Sequence, residues 1–304
     1  LIKQSIYSNG IKRREGLLNG NKILFIFYER IKMILQLFRV KQWIKNGFII
    51  LPLIFSGRFL DISLWFITLK TFLAFSLITS VFYIINDIID RKADRLHPIK
   101  SKRPIAAGKI SPQKSIGYAL LSALSAFFFL RTLNSLTWIT IGIYIILQFI
   151  YNLFTKHWVI LDVITIALGF LLRIWIGALA IGIIPSMWLQ LCVLALALFL
   201  GFTKRRHELS ILKKNASIHR LALSEYTLRF LDQMTIICST LAIVFYGLYT
   251  ISSDITYSIG HSGLLYSICF VVYGIFRYLY LVHVKKLGDD PGEILLRDGP
   301  SMIN

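Results

Sequence analysis

Charged residues are scarce in this sequence of 304 residues: they make up 16% of it, against 56% of hydrophobic residues. A soluble domain of this length cannot bury so much apolar surface, so the composition excludes an ordinary soluble fold and favours a membrane protein. Cysteine is scarce as well, since the chain has three, Cys192, Cys238 and Cys269, all within apolar runs. Their odd number and the lack of metal-ligand spacing indicate packing or lipid-facing residues.

The apolar residues are concentrated in blocks of about 20, the length that a helix needs to cross the hydrocarbon core of a bilayer. Barrel strands are shorter and alternate in polarity, so unbroken runs of this length predict helices. The predicted fold class is therefore all-α: a polytopic transmembrane helical bundle with eight spans, or nine if a further helix is added, and cytosolic helical loops. The eight blocks lie near 43–60, 62–85, 113–130, 134–154, 159–181, 184–202, 230–251 and 262–282.

Acidic residues are few, 15 against 34 basic residues, which gives a net charge of +19. The basic residues crowd both ends of the chain and the segments 86–112, 155–158 and 203–229, and the connections between these segments carry almost none. The positive-inside rule therefore places the crowded segments in the cytosol. Membrane topology and attraction to anionic lipid account for the charge, so we predict no nucleic-acid partner.

The N-terminal region differs from the rest of the chain. Residues 22–38 are amphipathic but carry Glu29, Arg30 and Lys32, which are too many charges for a span. This pattern predicts a helix that lies on the cytosolic surface of the membrane. We therefore divide the chain into an N-terminal basic tail with its interfacial helix, residues 1–40, and a transmembrane domain, residues 41–304.

A polar cluster follows the second apolar block and consists of Asn86 and three acidic residues, Asp87, Asp90 and Asp94. The spacing i, i+3, i+7 aligns the three carboxylates along one face of a continuing helix, where they repel one another. A magnesium ion would neutralise them, because it prefers oxygen ligands and is commonly held by one or two carboxylates with substrate phosphates. The alternative is a solvated acidic helix end, which would oppose both the positive-inside rule and the helix dipole. The cluster therefore predicts a magnesium–diphosphate site.

Other polar residues lie in or beside the apolar blocks, where charge is costly and marks an interior position. Lys100 and Arg103 lie in a proline-stiffened loop and would return toward the carboxylates to contact phosphate oxygens. Arg173, deep in a span, suits either a bound anion or bonds to carbonyl groups. It follows Asp162 by eleven residues, too far for a good ion pair, so each needs its own partner. The remaining residues of this kind are Arg39, Lys45, Asn46, Tyr151, Asn152, Lys156, Lys204 and Arg205.

The motif Asn86-Asp87-x-x-Asp90-x-x-x-Asp94 resembles the first aspartate-rich motif of the UbiA-type prenyltransferase superfamily. The fuller string NDIIDRKADRLHPIKSKRPIAAG is similar to that of one branch, the decaprenyl-phosphate phosphoribosyltransferases. The similarity extends over roughly 35–300 and includes RVKQWIKN, YNLFTKHWVILD, GFLLRIWIGALAIG, KRRHEL and YTLRFLD. Superfamily members that prenylate aromatic rings resemble one another in a second aspartate-rich motif after the sixth span, where this sequence has KRRHE.

The resemblance implies transfer of 5-phosphoribose from phosphoribosyl diphosphate to a polyprenyl phosphate, with release of diphosphate and dependence on Mg²⁺. It implies a bilayer-embedded enzyme of the inner or plasma membrane with its site facing the cytosol, and it leaves a homo-oligomer open. It implies nine helices, one more than the eight apolar blocks. The implied catalytic and metal-binding residues are Asp87, Asp90 and Asp94. The implied donor-side residues are Asn86, Lys100, Arg103, Tyr151, Lys156 and Asp162, with anion contacts from Arg39, Lys45, Arg173, Lys204 and Arg205.

Two other functions are compatible with a helical bundle of this kind. One is an aromatic, quinone-precursor prenyltransferase of the same fold, which the missing second aspartate motif disfavours. The other is a transporter or lipid-binding protein without catalysis. Transporters place their sites at broken helices near the bilayer midplane, whereas the ionisable residues here cluster at the cytosolic edge.

Overall fold

The structure is a computed structural model that describes residues 27–96, 100–212, 223, 225–252, 262–287, 294 and 297–304. All regular elements in these ranges are helical, so the prediction of an all-α fold is confirmed. The α-helices are α1 (27–37), α2 (Leu51–Phe55), α3 (Ile62–Ile89), α4 (Arg91–Leu96), α5 (Pro112–Leu130), α6 (Ser135–Leu153), α7 (Leu161–Ala180), α8 (Met187–Leu212), α9 (Leu228–Ile251), α10 (Ile268–His283) and α11 (Gly299–Ile303). Four 3-10 helices cover Val40–Ile49, Lys100–Lys102, Thr155–His157 and Ser262–Ser267.

Seven helices in the described chain are long and apolar enough to cross a membrane: α3, α5, α6, α7, α8, α9 and the run Gly263–His283 that contains α10. Each coincides with one of the predicted apolar blocks. On α5 the exposed side chains include Leu120, Leu124 and Phe127, which recur at helical spacing and form an outer apolar stripe. A stripe of this kind suits contact with lipid, and the chain is a multi-pass membrane protein.

The first apolar block, 43–60, does not form a single span, so the predicted count of eight is not reached among the described residues. A 3-10 helix runs to Ile49, and the five-residue α2 begins after a break at Ile50. Pro52 lies in the first turn of α2, where a proline is tolerated, but it cannot continue a helix from the preceding turn. The broken segment packs on α7 at Gly177, where a Cβ atom would collide with the carbonyl group of Ile49.

The described chain forms two units. The first takes the described part of Leu1–Trp43 together with Ser76–Phe127. Its buried core consists of Leu37, Ile84, Ile105, Ile110 and Ala119. Ser80 ties the end of α1 to α3, because its hydroxyl donates to the carbonyl of Phe38 at 2.9 Å and accepts from the Trp43 indole at 3.0 Å. These contacts fix the backbone around Arg39. Residues 1–26 of the predicted basic tail lie outside the described residues.

The second unit takes Ile44–Phe75 and Phe128–Asn304. Its largest core surrounds Phe199, Leu231 and Tyr278, with contributions from α7, α8, α9 and α10. Close to the start of α7, Val163 packs on Gly201 of α8, and a Cβ atom at that glycine would lie 2.6 Å from the valine Cγ1. The glycine therefore lets the first turn of α7 approach the end of α8, where several polar residues follow.

Candidate functional site

The aspartate cluster lies in the first unit, where α3 passes into α4. Backbone hydrogen bonds from Asp90 to Asn86 and from Asp94 to Asp90, both 2.8 Å, continue the helical pattern through the junction. Asp87 and Asp94 are buried and both accept from Nη1 of Arg103, at 3.1 and 2.7 Å. Asp90 is exposed, and within the described chain its side chain makes no hydrogen bond or ion pair.

Helical geometry accounts for this division of the three carboxylates. At about 100° per residue, positions seven apart differ by only about 20° around the helix, whereas positions three apart differ by about 60°. Asp87 and Asp94 therefore face one way, and Asp90 turns toward the surface. The described residues contain no group of three acidic, histidine or cysteine side chains that could hold a metal. Of the three carboxylates that the sequence predicts on one face, Asp87 and Asp94 lie side by side, and Asp90 points away from them.

Two arginines neutralise this pair. Arg103 follows the Lys100–Lys102 turn and returns to the carboxylates, as the sequence predicts, while Lys100 is exposed. Arg39 pairs with Asp87 and lies over the ring of Tyr83, 4.9 Å from its centroid. Its φ of 50° is in the left-handed region, which favours glycine, so this arginine is held in place against a conformational preference.

The donor set of this pair suits a divalent cation. The two carboxylates lie close enough to share one guanidinium nitrogen, so a single positive centre fits between them. Carboxylate oxygens are the ligands that Mg²⁺ prefers. The side chains of Arg39 and Arg103 are 24% and 27% exposed, so solvent reaches the cations although the acids are buried.

A second polar cluster lies in the second unit, around the start of α7 and the end of α8. Asp162 accepts from Nε of Arg205 at 2.6 Å and from the hydroxyl of Tyr226 at 2.8 Å. Arg205 also donates to Glu208 at 2.7 Å. Asp162 and Arg205 are buried, so both charges lie in the protein interior, where they compensate each other. Burial raises the pKa of Tyr226, which keeps its hydroxyl protonated and able to donate to Asp162.

The connection between α6 and α7 carries two further predicted residues. Tyr151 lies near enough to Arg205 to interact with it electrostatically. Lys156, in the Thr155–His157 turn, is half-buried and has no hydrogen bond or ion pair within the described chain. Lys45 and Lys204 are half-buried as well, and both have polar or electrostatic partners.

Arg173 is buried in α7 among neutral partners. Its guanidinium donates to the carbonyl of Gly169 at 2.7 Å, to Oδ1 of Asn46 at 3.0 Å and to the hydroxyl of Tyr144 at 3.1 Å. It also lies over the ring of Phe170, 5.0 Å from the centroid. As expected from their spacing, Arg173 and Asp162 have separate partners. These contacts favour the carbonyl-bonding role over a bound anion.

Sequence reasoning missed three of the polar contacts. No periodic pattern singles out the residues concerned, Tyr144, Glu208 and Tyr226. The partner of Tyr144 lies 29 positions along the chain and that of Tyr226 lies 64 positions away, whereas Glu208 is three residues from Arg205. Tyr226 stands in the string YTLRFLD, so the resemblance was the one signal that pointed to its neighbourhood.

Together these features define a polytopic helical membrane protein with cationic and acidic side chains placed at the ends of its spans. The chain belongs to the UbiA prenyltransferase family, whose model matches residues 50–291. It is 30% identical over 269 residues to the decaprenyl-phosphate phosphoribosyltransferase of Mycolicibacterium smegmatis, covering 86% of this chain and 85% of that protein. The enzyme of the same name from Corynebacterium glutamicum is 32% identical over 272 residues, covering 86% of this chain and 79% of that protein.

A solved structure has the same fold. A UbiA homolog from Archaeoglobus fulgidus, bound to DMAPP and Mg²⁺, matches with a TM-score of 0.63 at 19% identity. The match covers 88% of this chain and 93% of that one. The predicted membership of the UbiA superfamily is confirmed, and so is its helical fold.

Proposed function

We propose that this chain transfers 5-phosphoribose from phosphoribosyl diphosphate to a polyprenyl phosphate, at the cytosolic face of the plasma membrane. The observation that carries the proposal is the buried pair Asp87 and Asp94, held by two arginines that solvent can reach. Carboxylates in this setting suit a metal-bound diphosphate, and the arginines suit its phosphate oxygens. The name shared by the relatives from M. smegmatis and C. glutamicum supports a polyprenyl phosphate as the acceptor and a phosphoribosyl group as the group transferred.

Asp87 and Asp94 would hold Mg²⁺, with Asp90 as the further carboxylate nearest to them in the chain. When bound, the metal would supply charge neutralisation for the departing diphosphate. Arg103 and Arg39 already lie at these carboxylates and would turn to the phosphate oxygens of the donor. Arginine suits this task because its planar fork binds phosphate through two hydrogen bonds.

The reaction proceeds by displacement at C1 of the ribose. An oxygen of the lipid phosphate forms the new bond to C1 while the bond from C1 to the diphosphate oxygen breaks, and its electron pair leaves with diphosphate. An oxocarbenium-like transition state is expected at such a centre. The lipid phosphate is ionised at neutral pH, so the protein need not remove a proton, and its task is to position and stabilise charge. We also propose donor or anion contacts for Lys45, Asn86, Lys100, Tyr151, Lys156 and Lys204.

The end of α8 supports the phosphoribosyl branch over an aromatic prenyltransferase. A second metal site there would need free carboxylates. In the described chain Asp162 and Glu208 form ion pairs with Arg205, and Asp232 forms one with Arg206. The remaining residues of the motif are mostly basic, which suits phosphorylated substrates that bind without a second metal.

The test is a transfer assay with the purified protein in lipid nanodiscs. Labelled phosphoribosyl diphosphate, decaprenyl phosphate and Mg²⁺ should give a labelled lipid and free diphosphate in equal amounts. A parallel reaction replaces both substrates with an isoprenyl diphosphate and 4-hydroxybenzoate. Transfer in the second reaction alone would contradict the proposal and assign the chain to the aromatic prenyltransferases.

A further inference from the structure

Ile160, the last residue before α7, has an unusual backbone conformation. Its φ of 69° lies in the left-handed region, where a β-branched side chain is a clear outlier. Such conformations persist when the surroundings hold them, and they cluster at functional sites. The side chain itself is 40% exposed, so its packing does not account for the conformation.

The hydroxyl of Tyr226 holds this residue. The backbone N–H of Ile160 donates to it at 2.6 Å, and the hydroxyl in turn donates to Asp162 at 2.8 Å. The direction of both bonds is fixed, because an amide N–H can only donate and a carboxylate can only accept. Arg205 fixes the other carboxylate oxygen. The strained residue is therefore tied, through one buried tyrosine, to a buried ion pair.

Ile160 is the last residue of the short connection between α6 and α7, which also contains Lys156. Seven residues, 154–160, join α6 to α7, and Lys156 lies near their middle. Lys156 has no partner within the described chain. The hydroxyl of Thr155, beside it, is buried and likewise unpartnered among the described residues. A cation and a hydroxyl that are positioned but unsatisfied are suited to an incoming phosphate.

We infer that Tyr226 is a positioning residue, whose hydroxyl holds the 154–160 connection in the conformation that presents Lys156 to a substrate phosphate. The inference rests on the proposed function, since it assigns Lys156 a phosphorylated ligand. Loss of the hydroxyl frees Ile160 to return to a negative φ, and the connection then shifts. The chemistry at C1 is untouched, so the effect falls on substrate binding.

The first experiment compares Tyr226→Phe with the double variant Tyr226→Phe/Ile160→Gly. Tyr226→Phe should raise the KM for phosphoribosyl diphosphate about tenfold while kcat changes less than about threefold. Glycine adopts a positive φ without strain, so the double variant should recover most of the lost affinity. Tyr246→Phe is the matched control, because its hydroxyl bonds Ser267 at 2.6 Å, and it should leave KM unchanged.

A second measurement needs no turnover. Trypsin cleavage after Lys156, followed by mass spectrometry, should be faster in Tyr226→Phe and return toward the wild-type rate in the double variant. An unchanged KM and cleavage rate in Tyr226→Phe would overturn the inference. If Tyr226→Phe does not fold, Ile160→Gly should restore folding, and failure to do so would also overturn it. If the wild type transfers no phosphoribose, the proposed function fails. The rates of trypsin cleavage after Lys156 would still test whether the Tyr226 hydroxyl fixes the conformation of the 154–160 connection.

Discussion

The two units each contain buried aspartates paired with arginine, but the arginines differ in exposure. In the first unit, Asp87 is buried while Arg39 and Arg103 are about a quarter exposed. In the second unit, Asp162 and Arg205 are both buried, with the arginine 3% exposed. The acids are thus alike, and the accessibility of the cation separates the two clusters.

This difference indicates opposite tasks for the same pair of residue types. A cation that solvent reaches can be exchanged for a metal or turned toward a phosphate at modest cost. A cation buried with its acid cannot leave without exposing the acid to an apolar environment. The first cluster is therefore suited to bind ligands, and the second to hold backbone in place. Exposure of the arginine, rather than of the aspartate, tells them apart.

The largest effect is expected when one arginine is removed from each cluster, and it tests whether the two clusters have different tasks. Arg205→Met leaves Asp162 and Glu208 without their shared cation and should destabilise the protein by about 3–5 kcal/mol. Arg103→Met should cost less, about 1–2 kcal/mol, because Arg39 still pairs with Asp87 and because water can enter beside Asp94 where the partly exposed Arg103 side chain was. Thermal unfolding of both variants in detergent measures the difference.

Magnesium supplies the control for this pair of variants. A cation that binds the folded state raises its stability by mass action. Mg²⁺ should therefore raise the melting temperature of Arg103→Met more than that of the wild type, because it replaces the lost cation, and should raise that of Arg205→Met by no more than that of the wild type, because the Asp87–Asp94 pair is intact there. Equal losses of stability, or a shift by Mg²⁺ that exceeds that of the wild type in both variants, would show that the two clusters do not differ as their exposure suggests.

A smaller change in free energy is expected when Asp90 is replaced. The replacement should change the activity and leave the stability of the fold as it is. Asp90→Asn should lower turnover about a hundredfold, equivalent to about 3 kcal/mol of transition-state stabilisation. Its melting temperature should not change, since the side chain is exposed and has no partner in the described chain. Glu29→Gln, at another exposed acid, should leave both quantities unchanged. Retained activity in Asp90→Asn would remove Asp90 from the metal site.

The fold could be predicted from the sequence wherever hydropathy decides the structure. Apolar blocks of span length have one solution in lipid, a helix with internally satisfied backbone, and seven of the eight blocks form one. The first block is also apolar, but it contains Pro52 and packs its backbone closely on Gly177. Local breaks of this kind depend on tertiary contacts that a composition window does not record.

The acid pair could also be predicted, because helical spacing places Asp87 and Asp94 on one face. The return of Arg103 followed from the proline-stiffened loop that comes after Asp94. The partner of Asp87 just after α1, Arg39, lies 48 residues away, and the Asp162–Arg205 pair spans 43 residues. Pairings at such separations are set by how helices pack, and one sequence without relatives aligned to it carries no trace of them.

The smallest expected effect concerns Lys204, which directly precedes the buried Arg205 on α8. Lys204 is half-buried, as Arg39 and Arg103 are, although its neighbour Arg205 is buried. If it binds a substrate phosphate, Lys204→Ala should raise KM about fivefold, and this difference from the wild type should shrink as added salt screens the charge that the variant lacks. The free energy of unfolding should change by less than about 1 kcal/mol. Lys102→Ala, at an exposed lysine, is the control and should change neither quantity. Unchanged kinetics in Lys204→Ala would assign this lysine to the membrane edge, and a large loss of stability would place it with the fixed cations.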